Sequence, residues 1–202
     1  MAEAADAVES GMAALMGATH QSAEEMCAAR REAGGNLWVA NLNAPGQVVV
    51  AGGATDIDWA GDEARSFGIR RVIPLAVAGA FHTPYMEPAK NRLVAALDTV
   101  EVGSPAPAVW SNVTAQPLDP ADIKSMLGRQ IVSPVRFEET LMGLAEAGVS
   151  TFVHVGPGDV TAGLARRTVD GAATIIVNEL AGIGEAVEQL DRLGTMPGEE
   201  EA

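Results

Sequence analysis

Within the first 75 residues, strand-like and helix-like segments alternate in an order that only a small set of folds can accommodate. Met12-Ala13-Ala14-Leu15-Met16-Gly17 reads as a short strand. Thr19 to Arg31 reads as a helix, with Ser22 or Thr19 as its cap and Glu24 and Glu25 in the first turn. Leu37-Trp38-Val39-Ala40-Asn41 is the next strand. Asn43-Ala44-Pro45-Gly46 is a turn signal, because proline presets φ and glycine tolerates the left-handed region, and Gln47 to Gly52 returns as a strand. A second helix opens at Thr55-Asp56-Ile57-Asp58 and ends near Phe67-Gly68, and Arg70 to Leu75 is a last strand. The order β-α-β-β-α-β is the split βαβ, or ferredoxin-like, arrangement. A ferredoxin-like small subdomain is therefore expected over residues 1–78.

The remainder follows another rhythm. Helices are expected at Pro84–Leu97, Asp122–Gln130, Val135–Ala147, Val160–Arg167 and Ile183–Leu193. Strands are expected at Ala108–Ser111, Thr151–Val155 and Thr174–Val177. Short apolar strands between helices predict an α/β region with a parallel sheet over residues 79–194. Three strands make a thin sheet, and parallel edges are normally buried, so polypeptide outside these segments is expected to complete it. Residues 195–202 read as an acidic tail.

The net charge of −14 over 202 residues argues against nucleic acid as a partner, since a phosphate backbone needs a basic face. Apolar runs such as Val48-Val49-Val50-Ala51 are too short to span a membrane. Acidic residues follow Met1 where a signal peptide would carry basic ones, so a cytoplasmic location is expected. Cys27 is the sole cysteine, which excludes an internal disulfide and a multi-thiolate metal site; it reads as a small core hydrophobe. His20 and His154 lack the paired spacing of a zinc site, and no metal is expected.

Chemistry concentrates in Gly79-Ala80-Phe81-His82-Thr83-Pro84-Tyr85-Met86-Glu87-Pro88-Ala89. It places a histidine at the end of an apolar run and ahead of a helix, where it can act as general base toward a nucleophile. The bland reading of such a histidine is a hydrogen-bonded core residue. No serine or cysteine lies in a G-x-S-x-G elbow, and Ser104, Ser111 and Ser133 sit beside proline or asparagine in loops. Gly156-Pro157-Gly158 lacks the lysine and spacing of a phosphate-binding loop and reads as a tight strand-to-helix turn.

Five ordered blocks carry a family resemblance: Asn41-Leu42-Asn43-Ala44-Pro45-Gly46-Gln47-Val48-Val49-Val50-Ala51-Gly52, Phe81 to Ala89, Trp110-Ser111-Asn112-Val113-Thr114-Ala115, Gln130-Ile131-Val132-Ser133-Pro134-Val135-Arg136-Phe137, and Val155 to Leu164. Together they resemble the malonyl-CoA:acyl carrier protein transacylases, an acyltransferase family of fatty-acid and polyketide synthesis. The resemblance implies a hydrolase-like α/β large subdomain with a ferredoxin-like insert. It also implies a two-step transfer of malonyl from CoA, through an acyl-serine, to the phosphopantetheine thiol of acyl carrier protein. Malonyl-CoA and the carrier are then substrate and partner, and no resident cofactor is needed. In the family the serine elbow, the malonyl-binding arginine and an oxyanion-loop glutamine precede the insert. Met1 aligns after all three, so the chain resembles the C-terminal two-thirds of a transacylase and is expected not to act alone.

By that resemblance His82 is the general base, and Gln130 orients it through its main-chain carbonyl. Phe81 favours malonyl over methylmalonyl by filling the space of an α-methyl group. Asn41 either lines the cleft or ends a strand, while Asn43 reads as part of the turn. Arg70, Arg71, Lys90, Arg92, Arg166 and Arg167 either steer an acidic carrier or are scattered solvated charges. Two further readings stay open: a non-catalytic module that binds the carrier or a partner acyltransferase, and an acyltransferase domain of a polyketide synthase.

Overall fold

The computed structural model describes residues 1–194; the acidic tail expected at 195–202 lies outside the described residues. The chain divides into two compact units, Met1–Gly143 and Leu144–Ala202.

In the first unit, a short helix α1 (Ala2–Ala5) precedes β1 (Ser10–Met16), α2 (His20–Glu32), β2 (Leu37–Ala44), β3 (Gln47–Gly53), α3 (Ala54–Glu63) and β4 (Arg71–Pro74). The strands lie in the order β4-β1-β3-β2 with every neighbour antiparallel, which is the ferredoxin-like topology expected from the sequence. The central strands read as continuous apolar runs because both faces of the sheet are covered. Ala13, Leu15, Val39, Val48 and Val50 face α2 and α3, packing on Met26, Cys27, Ile57 and Ala60. The alternate residues Met12, Ala14, Val49 and Ala51, with Ala40, form a second core with Ala80, Phe81 and Tyr85. Three of those sheet residues are alanines, and their small side chains let the chain around Phe81 lie close. Cys27 is fully buried, and burial pushes its thiol up to about 12.

Local chemistry sets the boundaries. Thr19 caps α2 through a reciprocal box: its Oγ1 accepts from the Ser22 N–H, and Ser22 Oγ accepts from the Thr19 N–H. Ala44 pairs with Gln47, so the hairpin turn is Pro45-Gly46 alone, with Gly46 at φ 75°. Asn43 accordingly lies in β2, at a register shift rather than in the turn. Gly52 admits no side chain, since a Cβ there would sit 2.0 Å from the Asn36 carbonyl oxygen.

The loop that follows β4 lays Ala80, Phe81 and Tyr85 on this sheet, and the chain out to residue 143 continues from it. A 3-10 turn at Pro84–Met86 leads into α4 (Glu87–Asp98); α5 (Ile123–Arg129), β5 (Val135–Arg136) and α6 (Phe137–Glu146) follow. Two expectations are corrected. Ala108–Ser111 is not a strand but holds a single bridge, Trp110 to Pro117, because Pro105, Pro107 and Pro117 remove the donors a ladder needs. Val135 and Arg136 are not helical. They pair in parallel with Asn41 and Leu42, while the Arg136 N–H donates to the Asn112 carbonyl. The β2 edge thus gains a fifth strand, and α6 begins only at Phe137, which a helix-period reading of Val135 onward does not separate.

The second unit holds β6 (Thr151–Val155), α7 (Val160–Thr168), β7 (Ala173–Val177) and α8 (Ile183–Gly194), with β6 and β7 paired in parallel. A groove of about 470 Å³ is lined by Val153, Val155, Val177, Leu180, Ile183 and Val187, among others. No helix among the described residues is long and apolar enough to cross a membrane.

Asp56 joins the two sheet-covering helices. Buried at the start of α3, it accepts from Arg30 Nε at 2.6 Å and from the Asn36 N–H at 3.0 Å, while the Arg30 guanidinium lies 5.3 Å from the centre of the Trp59 ring. Asp56→Ala strands the cationic partner and one backbone donor, and is expected to lower unfolding stability by about 2–4 kcal/mol, read from the denaturant midpoint at unchanged slope.

Candidate active site

His82 sits on the loop that closes the second face of the sheet. It is half-buried and adopts φ 62°, a left-handed backbone that few non-glycine residues occupy. Its Nδ1 lies 3.0 Å from the Gln130 carbonyl oxygen. A carbonyl only accepts, so Nδ1 carries the proton and donates, which leaves the Nε2 lone pair as the free base of the neutral ring. Nε2 makes no hydrogen bond among the described residues. Gln130 can serve this way because it ends α5, where carbonyls lose their helical partners.

The backbone around His82 is tied on both sides. The Ser10 Oγ, at the start of β1, accepts from the Ala80 N–H at 3.1 Å. The Thr83 Oγ1 donates to the Ala80 carbonyl at 2.7 Å and accepts from the Tyr85 N–H at 3.3 Å, capping the 3-10 turn in which Pro84 is first. Phe81 packs between two apolar clusters. One is the sheet face; the other joins Ala4, Ala5, Met86 and Ala89 with Ile131 and Val132, the residues that follow Gln130. Tyr85 stands edge-on to Trp38, and burial, with the Asp56 charge, pushes its phenol up.

Of the residues expected from the sequence, the structure brings together His82, Gln130 and Phe81. Asn41 lies in β2, its backbone between Val49 and Val135, with no hydrogen bond to His82 among the described residues. Lys90 is paired with Glu87 at 3.1 Å and Arg92 with Glu3, while Arg70 and Arg71 are exposed and form no ion pair among the described residues. The Ser111 Oγ is turned inward, accepting from the Val113 N–H. His154 has both ring nitrogens engaged, with Thr161 Oγ1 and the Gly156 carbonyl, as a structural histidine would. The sequence reading missed Ser10 and Thr83. Thr83-Pro84 carried a recognisable cap signal; Ser10, 70 residues away, carried none.

Close by in sequence to Gln130, Arg136 forks onto Glu139, with Nε 2.8 Å from Oε1, and its Nη1 donates to the Val113 and Thr114 carbonyls at 3.3 and 3.4 Å. The fork holds Glu139 below the usual carboxylate range, whereas burial, reinforced by the Glu139 charge, raises Glu138.

The family model of the acyl transferase domain matches residues 1–192, and the chain belongs to that family. It is 38% identical over 191 residues to the malonyl CoA-acyl carrier protein transacylase of Bacillus subtilis, covering 94% of this chain and 60% of that protein. The solved transacylase (MCAT) structure of Streptococcus pneumoniae superposes with TM-score 0.87 at 34% identity, over 94% of this chain and 62% of that one. A type II PKS acyl-carrier protein in complex with its malonyl-transacylase matches with TM-score 0.84 at 33% identity, over 90% and 59%. The chain thus spans about 60% of the length of the curated relatives it matches.

The Arg136–Glu139 fork has a signed pH dependence. A glutamate whose folded pKa is depressed contributes stability that is complete above its unfolded value, about 4.3, and is lost as pH falls through the folded value. Acid titration of unfolding stability should therefore fall less steeply below that pH in Glu139→Gln than in the unmodified chain.

Proposed function

We propose that this chain is the base-bearing portion of a malonyl-CoA:acyl carrier protein S-malonyltransferase. One bond carries this reading: the Gln130 carbonyl holding Nδ1–H of His82, which leaves Nε2 as acceptor. His82 takes the proton of a serine hydroxyl as its oxygen attacks the malonyl thioester, and returns it to the CoA sulfur as the C–S bond breaks. In the second half the phosphopantetheine thiol gives its proton to His82, attacks the acyl-serine, and the serine oxygen recovers the proton as the C–O bond breaks. His82 is thus catalytic and Gln130 a positioning residue. Phe81 sets the acyl preference, and Asn41 is the remaining candidate for lining the substrate cleft. No resident cofactor enters, and the setting is cytoplasmic.

In this reading residues 1–78 are the small subdomain and 79–194 the C-terminal part of the large one. The apolar groove over β6 and β7 is where the remainder of a relative's length would lie. Arg70 and Arg71 are the docking cations for an acidic carrier, because they are exposed while Lys90 and Arg92 are paired with carboxylates.

A second reading, a non-catalytic carrier-binding module, is favoured by the fact that none of the described serines hydrogen-bonds His82. Intact-mass measurement after incubation with malonyl-CoA is expected to show no stoichiometric malonyl adduct on the 202-residue chain. The two readings separate when the chain is joined to the serine-bearing segment of the Bacillus subtilis relative. The fusion should transfer malonyl, and His82→Ala should lower its kcat/KM by about 10²–10⁴-fold. An inactive but folded fusion would leave the binding module. In the same fusion Phe81→Ser should raise the methylmalonyl-to-malonyl ratio of kcat/KM by about 10-fold or more, as one methyl's worth of space opens.

A further inference from the structure

We infer that Ser10 and Thr83 are positioning residues that act together as a hydroxyl clamp on Ala80, forcing His82 into the left-handed backbone that delivers its Nδ1 to Gln130. The inference rests on the reading of His82 as the base. A non-glycine residue in this region is held there only where its surroundings over-determine it. Here they do. Ala80 has its N–H taken by Ser10 Oγ and its carbonyl by Thr83 Oγ1, so two consecutive peptide planes upstream of His82 are pinned. The Thr83 hydroxyl reaches back three residues, closing a ring of chain that contains Phe81 and His82.

Downstream, Pro84 has a fixed φ, and the Tyr85 N–H is bound to that same Thr83 oxygen. Upstream, a Cβ on Gly79 would lie 2.7 Å from the Ala5 Cβ, so the loop is seated against α1 without room to slide. Phe81 is anchored in both neighbouring clusters. His82 is left as the residue whose φ must satisfy all of these ties, and it does so at 62°. Thr83 is buried and spends its hydroxyl wholly on this loop, and Ser10 comes from a strand whose register is locked to β3 by the Ser10–Gly53 pair. The aim of the imidazole is thereby slaved to the start of β1 in the ferredoxin-like sheet.

A hydroxyl pair that served only to stabilise the fold would leave the histidine ring unaffected, and this separates the two roles. The 202-residue chain contains three histidines, so ¹⁵N-histidine labelling gives a readable spectrum, with the His82 signals identified by their loss in His82→Gln. Spectra are taken at about pH 8, where an ordinary imidazole, with pKa about 6.5, is neutral. The unmodified chain should show His82 as a single tautomer, protonated at Nδ1 and bare at Nε2. Thr83→Val, which keeps the shape and removes the hydroxyl, should abolish that polarisation, moving the two nitrogen shifts toward each other. Thr83→Ser should restore it, and Ser10→Ala should shift it in the same direction as Thr83→Val. His20 and His154 should keep their shifts. Folded Thr83→Val and Ser10→Ala chains with the unmodified His82 shifts would overturn the clamp and leave the Gln130 bond standing. An Nε2-protonated His82 in the unmodified chain would overturn both. If Thr83→Val does not fold, Ser10→Ala decides by the same criterion.

Discussion

Burial of both faces of one antiparallel sheet is the constraint on which the first unit depends. Alternate residues of β1 and β3 enter two different cores, so neither face can be left to water. The helices α2 and α3 close one face. The loop from Gly79 to Tyr85 closes the other, and that loop carries His82. His82 is therefore part of the lid of a hydrophobic core, and its placement is as secure as the packing of Phe81 and Tyr85 on the small residues Ala14, Ala40 and Ala51. A larger side chain at any of those alanines would lift the loop before it disturbed the helices.

The surroundings of His82 are built from backbone as much as from side chains. Nδ1 of His82 is oriented by a main-chain carbonyl, and the strand Val135–Arg136 is held to β2 by main-chain pairing. That strand follows Gln130 by only a few residues, so the carbonyl bonded to His82 Nδ1 is supplied by a segment moored to the sheet edge. Substitutions at Gln130 that preserve helical geometry should consequently be tolerated better than changes at Pro134 or Val135, which alter the path of the chain.

The ferredoxin-like part was legible because its signals are local: short apolar runs between turn residues, a reciprocal cap at Thr19 and Ser22, and a Pro-Gly turn. Even there Asn43 was misplaced, because a strand with two register shifts does not alternate cleanly. Beyond residue 78 the local signals and the contacts diverge. Val135 and Arg136 precede a helical run and look like part of it, yet the open edge of β2 makes them a strand. Trp110 lies in an apolar stretch, but prolines on either side deny it a ladder. His82 and Gln130 were singled out through short motifs, whereas the left-handed φ at His82 and the bond from Ala80 N–H to Ser10 depend on a meeting of residues 70 positions apart. Hydrophobic periodicity contains no information about that meeting.

The groove of the second unit bears on how such a polypeptide behaves in a crowded cell. Val155, the last residue of β6, is 76% exposed, and Leu180, in the 3-10 turn after β7, is 86% exposed. A surface of this kind is wetted at a cost, so any state of the second unit that shields these side chains from water is favoured over one that leaves them bare.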